Sequence, residues 1–197
     1  FKEWETLIPL TEWQGPFNWS IVESKLRGRI GSLFIATRFR PISPNTHFLA
    51  FTCSQPFATT NKFTLLKTQS LEEAKIQSLF LNSIVGLANL LKYMSSATGA
   101  FIELKHYDLT LFPILKIQSL SESKRKSLTL SFDKLSQVTF PSLLEQLRNR
   151  FWARVELDKL ILNTLNLKED EVEKFLPKLY DVIAEEFAKL KENGEEE

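Results

Sequence analysis

Residues 75–116 read KIQSLFLNSIVGLANLLKYMSSATGAFIELKHYDLTLFPILK and combine an apolar helical pattern, a glycine turn and a proline stop. Ser70 and Glu73 stand just before this stretch as a capping box, whose two side chains satisfy backbone N–H groups of a first helical turn. Apolar residues then recur at helical spacing as far as Leu91, which predicts one helix of about six turns that packs on a sheet. A short strand over residues 100–104 and a helical turn over residues 107–111 follow.

Three runs of strand composition precede this helix. They cover residues 29–40, 46–52 and 61–67 and are separated by turn-forming residues. Because side chains alternate along a strand, the first run, RIGSLFIATRFR, places Arg38 and Arg40 on the same side. The sequence therefore predicts an α+β fold, with a small antiparallel or mixed sheet packed on a long helix, followed by a helical C-terminal module.

Composition divides the chain into three parts. The α+β domain is predicted to span residues 1–118. A surface connection rich in serine and lysine follows over residues 119–139, and the helical module covers residues 140–197. A proline at the first helical position, Pro141, opens that module, and Pro177 interrupts it. The connection carries the basic run 124–126, which is either a phosphate-contacting loop or a solvated linker.

The net charge of +1 conceals an uneven distribution. Residues 1–154 contain 19 Lys and Arg against 11 Asp and Glu, whereas residues 155–197 contain 6 against 13. A polyanion binds by releasing counterions from its phosphates, so the basic body is where nucleic acid would bind. The acidic amphipathic helices at the end should dock on protein instead.

Motifs for chemistry are scarce in this sequence. His47 and His106 lack partners at metal-ligand spacing, and no G-x-S-x-G or G-x-G-x-x-G motif occurs. We expect no catalysis by this chain alone, no metal site and no bound cofactor. The single cysteine, Cys53, favours a reducing cytoplasm, and the longest apolar run is too short to span a bilayer.

Arginines on a predicted strand, with small polar residues in the next turn, favour DNA recognition. Arginine can grip guanine O6 and N7 with two hydrogen bonds, and asparagine can do the same with adenine. The candidate DNA-binding residues are Arg27, Arg29, Arg38, Arg40, Asn45, Thr46 and Lys62. The alternative is that these arginines are surface strand residues that pair with local acids.

A family resemblance rests on residues spread over the opening stretch. They are Leu81, Asn82, Ser83, Gly99, Asp108, Leu109, Pro113 and Ile114. Their order resembles the C-terminal target-recognition region of adenine-specific DNA methyltransferases of restriction-modification systems. The Asn/Asp/Ser-Pro-Pro-aromatic loop that holds the flipped adenine in that family is missing, because the chain has no Pro-Pro pair.

The resemblance implies that this chain is the target-recognition part of a larger enzyme. This chain would select and grip duplex DNA, and a catalytic domain in the same polypeptide or in a partner subunit would methylate adenine with S-adenosylmethionine. Two alternatives stay open. The chain is a separate specificity subunit, or it is a protein-docking module whose acidic helices form the functional face.

Overall fold

The computed structural model describes residues 26–59, 62–96 and 101–192. The strands are β1 (Ile30–Ala36), β2 (Arg38–Phe39), β3 (Ala50–Ala58), β4 (Phe63–Leu65), β5 (Ser95–Ser96) and β6 (Ile102–Glu103). The α-helices are α1 (Leu71–Asn82), α2 (Ile84–Tyr93), α3 (His106–Leu111), α4 (Glu122–Leu135), α5 (Leu143–Arg148), α6 (Trp152–Thr164) and α7 (Glu169–Glu192). The predicted α+β class is confirmed, with small antiparallel sheets and a long C-terminal helix.

The strands form two sheets that meet at one residue. Antiparallel pairing gives the orders β3-β1-β4 and β2-β6-β5. The run expected as one strand is divided at Thr37, whose N–H donates to Lys62 O at 3.0 Å and whose carbonyl accepts from Leu104 N at 2.8 Å. Since Thr37 bonds to both sides, β1 and β2 join different sheets. The second strand also lies later in the chain than the sequence predicts: it spans residues 50–58 instead of 46–52.

Burial along β1 does not alternate as a half-exposed strand would. Residues 33–36 are all buried, because both faces of β1 are covered. Leu33 and Ile35 belong to the main core, while Phe34 packs against Phe57 with ring centroids 4.5 Å apart. Leu33 and Ile35 thus lie on one face and Phe34 on the other, and both faces are apolar, as in strands that are buried on both sides.

The predicted single helix is two helices, α1 and α2, bent by 69° at Ser83. Ser83 is extended, and its hydroxyl donates to Phe80 O at 2.7 Å and accepts from Gly86 N at 3.4 Å. Only glycine fits at position 86, because a Cβ there would lie 2.1 Å from Leu81 O. In the described part of the chain no single helix is long and apolar enough to cross a membrane; α1 and α2 meet that criterion only as a bent pair.

Two buried amides on α1 bind backbone elsewhere in the fold. Asn82 Oδ1 accepts from the N–H groups of Leu49 and Ala50 at 2.8 and 2.9 Å, and Asn82 Nδ2 donates to Ala50 O at 2.8 Å. Gln77 exchanges two hydrogen bonds with the backbone of Leu115, at 2.7 and 3.1 Å. Asn82 therefore fixes the start of β3, and Gln77 fixes the segment that follows α3.

The C-terminal half differs from its prediction in three places. The expected surface connection contains α4, which Ser121 caps and which buries Leu128 and Leu135. The next helix starts after Ser142, not at Pro141, because Ser142 and Glu145 form a capping box. Pro177 lies inside α7 without ending it, since the helix buries a full apolar stripe. One hydrophobic cluster extends from β1 to α7, and the proposed division into domains stays a prediction.

A buried ionic cluster connects the bend to the C-terminal helices. Asp158 accepts from Ile84 N at 2.6 Å, from Arg154 Nε at 2.9 Å and from the Tyr180 hydroxyl at 2.7 Å. Arg154 and Asp158 are fully buried, and both terminal nitrogens of Arg154 have no hydrogen-bond partner within the described residues. Burial raises the pKa of the Asp158 carboxyl, although the Arg154 charge and the three donors oppose that rise.

Candidate nucleic-acid interface

Four of the predicted DNA-binding residues line one cleft, which we call the basic cleft. Arg38, Asn45, Thr46 and Lys62 contribute its polar wall, and its volume is about 440 Å³. Its aromatic wall consists of Phe39, Phe48, Phe51, Phe63 and Phe140. Of these rings Phe51 is 41% exposed, Phe140 is buried and the other three are half-buried. The cations of the polar wall are of the kind that contact phosphates or base edges of DNA.

Backbone hydrogen bonds bring the members of the basic cleft together. Thr37 donates to Lys62 O through both its N–H and its hydroxyl, at 3.0 Å each, which places Lys62 beside Arg38. After β2 the chain makes two turns, closed by Ser43 N to Arg40 O at 3.1 Å and by Thr46 N to Ser43 O at 3.0 Å. The turns return Asn45 and Thr46 to the arginines that precede them in sequence.

The loop carrying Asn45 and Thr46 is anchored on α5. Leu143 N donates to Thr46 O at 2.7 Å, and Gln146 Nε2 donates to the carbonyls of His47 and Pro141 at 2.9 and 2.8 Å. His47 Nδ1 lies 3.0 Å from Pro141 O. Because a carbonyl can only accept, Nδ1 carries the proton in this contact. This loop is therefore held by the C-terminal half of the chain.

Capping of α5 adds a charge effect close to this anchor. The Ser142 hydroxyl donates to Glu145 Oε2 at 2.6 Å and the Ser142 N–H donates to the same oxygen at 3.1 Å. These hydrogen bonds, led by that from the hydroxyl, hold the pKa of Glu145 below its usual value. The carboxylate thus remains ionised and keeps the first turn of α5 in place beneath the loop.

Arg38 and Arg40 share one aromatic partner. Their guanidinium carbons lie 5.0 and 5.5 Å from the centroid of the Phe101 ring. The common partner bears out the prediction that both arginines lie on the same side of the chain. Contacts of this length are cation–π interactions, which hold a flexible arginine in a restricted set of positions while leaving its N–H groups available.

Neither of these arginines is neutralised by an ion pair. The ion pairs within residues 26–59, 62–96 and 101–192 involve other side chains. Glu103 lies directly across from Arg38 in the pairing of β2 with β6, and the two do not form an ion pair. Arg38 and Arg40 are exposed and form no ion pair among the described residues, so their guanidinium groups lie at the surface without direct contact to a carboxylate.

The structure does not bring all seven predicted residues together. Arg29 is exposed just before β1 and Arg38 lies just after that strand, whose seven extended residues span roughly 20 Å between them. Arg27 belongs to the 3₁₀ turn Arg27–Arg29 at the same far end, and its side chain lies outside what is described. Arg40 does not line the basic cleft but adjoins Arg38 through Phe101.

Phe101 is the main residue that the sequence prediction missed. Alternation in the segment AFIEL, residues 100–104, puts Phe101 and Glu103 on one face, away from buried Ile102. That local signal indicates an aromatic residue on the outer face, which the structure shows as half-buried, but it does not identify the neighbours of that residue. The contact with the arginines depends on the pairing of β2 with β6, which are far apart in sequence.

The basic run 124–126 lies elsewhere and forms part of α4. Lys124 Nζ donates to Asn166 Oδ1 at 3.1 Å, Arg125 Nε is buried, and Lys126 lines a shallow groove of its own. None of these side chains reaches the basic cleft, and a phosphate-contacting role for them stays a prediction. The described residues contain no group of three or more His, Cys, Asp or Glu side chains that would hold a metal ion.

Comparisons with known proteins give no assignment. No family model, no curated protein and no solved structure matches the chain.

Proposed function

We propose that the chain is the DNA target-recognition part of an adenine-specific DNA methyltransferase of a restriction-modification system. It binds duplex DNA at the basic cleft and positions it for a catalytic domain in the same polypeptide or in a partner subunit. That domain supplies S-adenosylmethionine binding and methyl transfer, so this part is not an enzyme by itself and works in the cytoplasm.

One observation carries this proposal. Arg38, Asn45, Thr46 and Lys62, chosen from sequence because their side chains suit DNA contacts, line one cleft although they come from three separate segments. Arg38 and the neighbouring Arg40 have no ion-pair partner among the described residues. Positive groups that a protein leaves uncompensated beside a cleft favour an anionic ligand.

The resemblance motifs support the proposal indirectly. Asn82 and Ser83 are buried and set the bend and the start of β3, while Leu115 is held by Gln77 just after the Pro113-Ile114 step. Asn82 and Ser83 therefore build part of the frame, and the candidate contacts lie on the sheet and loop that it supports; Ile114 is exposed, and Gly99 lies outside the described residues. This division agrees with phosphate and base contacts placed on rigid elements.

The test measures binding of the whole chain to a randomised DNA duplex over a range of salt concentrations. We expect log K to fall linearly with log salt, with a slope of about −3 or steeper if three cations contact phosphates. Replacing both Arg38 and Arg40 by Ala should lower affinity at least about tenfold at low salt, because two positive groups at the interface are lost.

The matched control removes the same amount of charge from α7. Lys174→Ala with Lys178→Ala changes two exposed residues that do not line the basic cleft. We expect this pair to reduce affinity less than about threefold, because exposed charges beyond a Debye length are screened. Equal losses in the two double variants would refute the assignment of the basic cleft, and no binding at low salt would refute the proposed function.

A docking module is the second candidate, and exposed apolar side chains favour it. Leu111 and Ile114 are 62% and 60% exposed, on either side of buried Phe112. Burying such side chains against a protein partner would be stabilising, and that association would respond weakly to salt. The catalytic domain is the partner that the resemblance implies. Salt dependence of binding therefore separates this surface from the basic cleft.

A further inference from the structure

We propose that Arg38 and Arg40 recognise two guanine bases whose base pairs are two steps apart, and that Phe101 sets their spacing. This inference rests on the proposed function and adds to it the base composition and geometry of the target site. It assigns different base pairs to the two arginines, and it assigns to Phe101 a positioning role that acts through them.

The spacing of the two arginines matches the spacing of base pairs. Residues i and i+2 of an extended chain are about 6.7 Å apart, and successive bases along one DNA strand are about 3.4 Å apart. Arg38 and Arg40 are such a pair, with β2 ending between them. Side chains that leave the chain on one side at this interval meet base edges two steps apart when the chain follows the groove.

The shared ring limits how far the two guanidiniums can separate. Each guanidinium carbon lies within 5.5 Å of the same Phe101 centroid. Their separation therefore cannot exceed roughly three base-pair steps in the major groove. Without this common partner the distance between the two guanidinium groups would vary much more widely, because each arginine side chain has four rotatable bonds.

Guanine is the base that this arrangement fits. A guanidinium donates two parallel hydrogen bonds to guanine O6 and N7, and no other base presents two acceptors there. Contact of a guanidinium with a ring face leaves its N–H groups directed outward in the plane of the cation. Since neither arginine forms an ion pair within the described residues, both sets of donors are available.

The experiment selects preferred sites from a randomised duplex pool with the whole chain and its variants. For the unmodified chain we expect an enriched motif that contains two guanine-bearing pairs with one pair between them. Arg38→Lys should lower the preference for one guanine about tenfold, and Arg40→Lys should do the same for the other, because lysine keeps the charge without the two-donor fork. Arg148→Lys makes the same chemical change at an exposed position on α5, outside the basic cleft, and serves as the matched control.

Variants of Phe101 test the positioning role separately. Phe101→Leu removes the ring face and should lower the preference at both guanine positions together, whereas Phe101→Tyr keeps the face and should restore it. A merely structural role would lower the unfolding temperature without relaxing the motif. Thermal unfolding of each variant therefore accompanies the selection.

The outcomes separate this inference from the proposed function. A motif with the two guanines, each relaxed by its own arginine variant, supports the inference. Retention of duplex with a motif that lacks them, or with guanines that survive both variants, overturns this inference and leaves the proposed function standing. No retention of duplex at low salt overturns the proposed function, and the inference fails with it.

Discussion

Asn82 makes three hydrogen bonds to the backbone at the start of β3 and is 6% exposed. A side-chain amide has one acceptor oxygen and one donor nitrogen, so it can pair with a peptide group as a neighbouring strand would. The strand that follows carries Phe51, which lines the basic cleft. A buried polar residue on a helix thus determines where part of the candidate site lies.

Replacing Asn82 by Ala should lower the free energy of unfolding by about 3 kcal/mol or more, because two N–H groups and one carbonyl are left buried without partners. Asn89→Ala is the matched control, since Asn89 makes one bond, to a helical carbonyl at 2.8 Å, and is half-buried. We expect it to cost less than about 1 kcal/mol. Urea denaturation measures both, and comparable losses would contradict the role assigned to Asn82.

Gly86 offers a second prediction at the scale of single residues, because glycine to alanine inside a helix normally stabilises by up to about 1 kcal/mol. Here we expect the opposite sign. A Cβ at position 86 meets the carbonyl oxygen of Leu81, and backbone at the bend cannot move aside. Gly86→Ala should destabilise the chain by about 2 kcal/mol or more.

Gly31→Ala is the comparison for Gly86→Ala. A Cβ at position 31 would lie 2.2 Å from the end of the Leu65 side chain, and that side chain can rotate away. It should cost less than about 1 kcal/mol. Thermal unfolding at several urea concentrations gives both values. A stabilised Gly86→Ala variant would show that the bend between α1 and α2 is not required by the packing.

The candidate site shows what single residues reveal in sequence and what they do not. Arg38 and Lys62 were selected for their chemistry, and β1 and β4 bring them together because the two strands pair antiparallel. Phe101 carried no such signal, since its contact with the arginines arises from pairing between β2 and β6. Residue chemistry is local information, whereas the partners of a residue depend on which strands meet.

At the scale of elements, starts were easier to predict than breaks. The cap at Ser70 is confirmed by its hydroxyl, which accepts from Glu73 N at 3.1 Å, whereas the Glu73 carboxylate accepts from Gln69 N and not from Ser70 N as the predicted capping box requires. The break at Ser83 was not predicted, because the N–H of Ile84 is satisfied by Asp158, which lies 74 residues further along the chain. Helix α4 was missed for a related reason, since Leu128 and Leu135 are buried by other elements among many polar neighbours.

The contact between α7 and the bend leads to a prediction at this scale. Tyr180→Phe removes the hydroxyl that donates to Asp158 Oδ2 and should lower the free energy of unfolding by about 2 kcal/mol at neutral pH. This loss of stability should be smaller at acidic pH. The hydroxyl lowers the pKa of Asp158, so its removal raises a pKa that burial has already raised.

The sign follows from proton linkage. An acid whose pKa is higher in the folded state than in the unfolded state stabilises the fold at low pH, and this contribution is lost as pH rises through the folded-state value. A further rise in the folded-state pKa of Asp158, as in Tyr180→Phe, therefore makes the loss of stability at neutral pH larger. Urea denaturation at pH 4 and pH 7 measures the difference, with Tyr93→Phe as the control on α2. A deficit that grows as pH falls would contradict this assignment.

At the scale of the whole molecule, charge is separated between the basic cleft and the C-terminal helix. Arg38 and Lys62 line the cleft, and no residue of α7 does. The exposed surface of α7 carries most of the excess acid, including Glu169 and Glu185. A duplex bound at the cleft would lie against the basic body, and α7 would be free of DNA for contact with protein.

This arrangement predicts that two acidic sites respond differently to neutralisation. Glu103→Gln removes the carboxylate across from Arg38 and should raise affinity for duplex DNA at least about threefold at 0.1 M salt, because it acts within a Debye length of the bound phosphates. Glu169→Gln with Glu185→Gln removes twice the charge from α7 and should change affinity less than about twofold.

Fluorescence anisotropy with one labelled duplex measures both changes, and thermal unfolding checks that each variant is folded. A larger gain from the α7 pair would place the DNA along the C-terminal helix instead of the basic cleft. A gain from Glu103→Gln that vanishes at high salt would agree with an electrostatic origin, because added counterions screen the removed carboxylate and the phosphates alike.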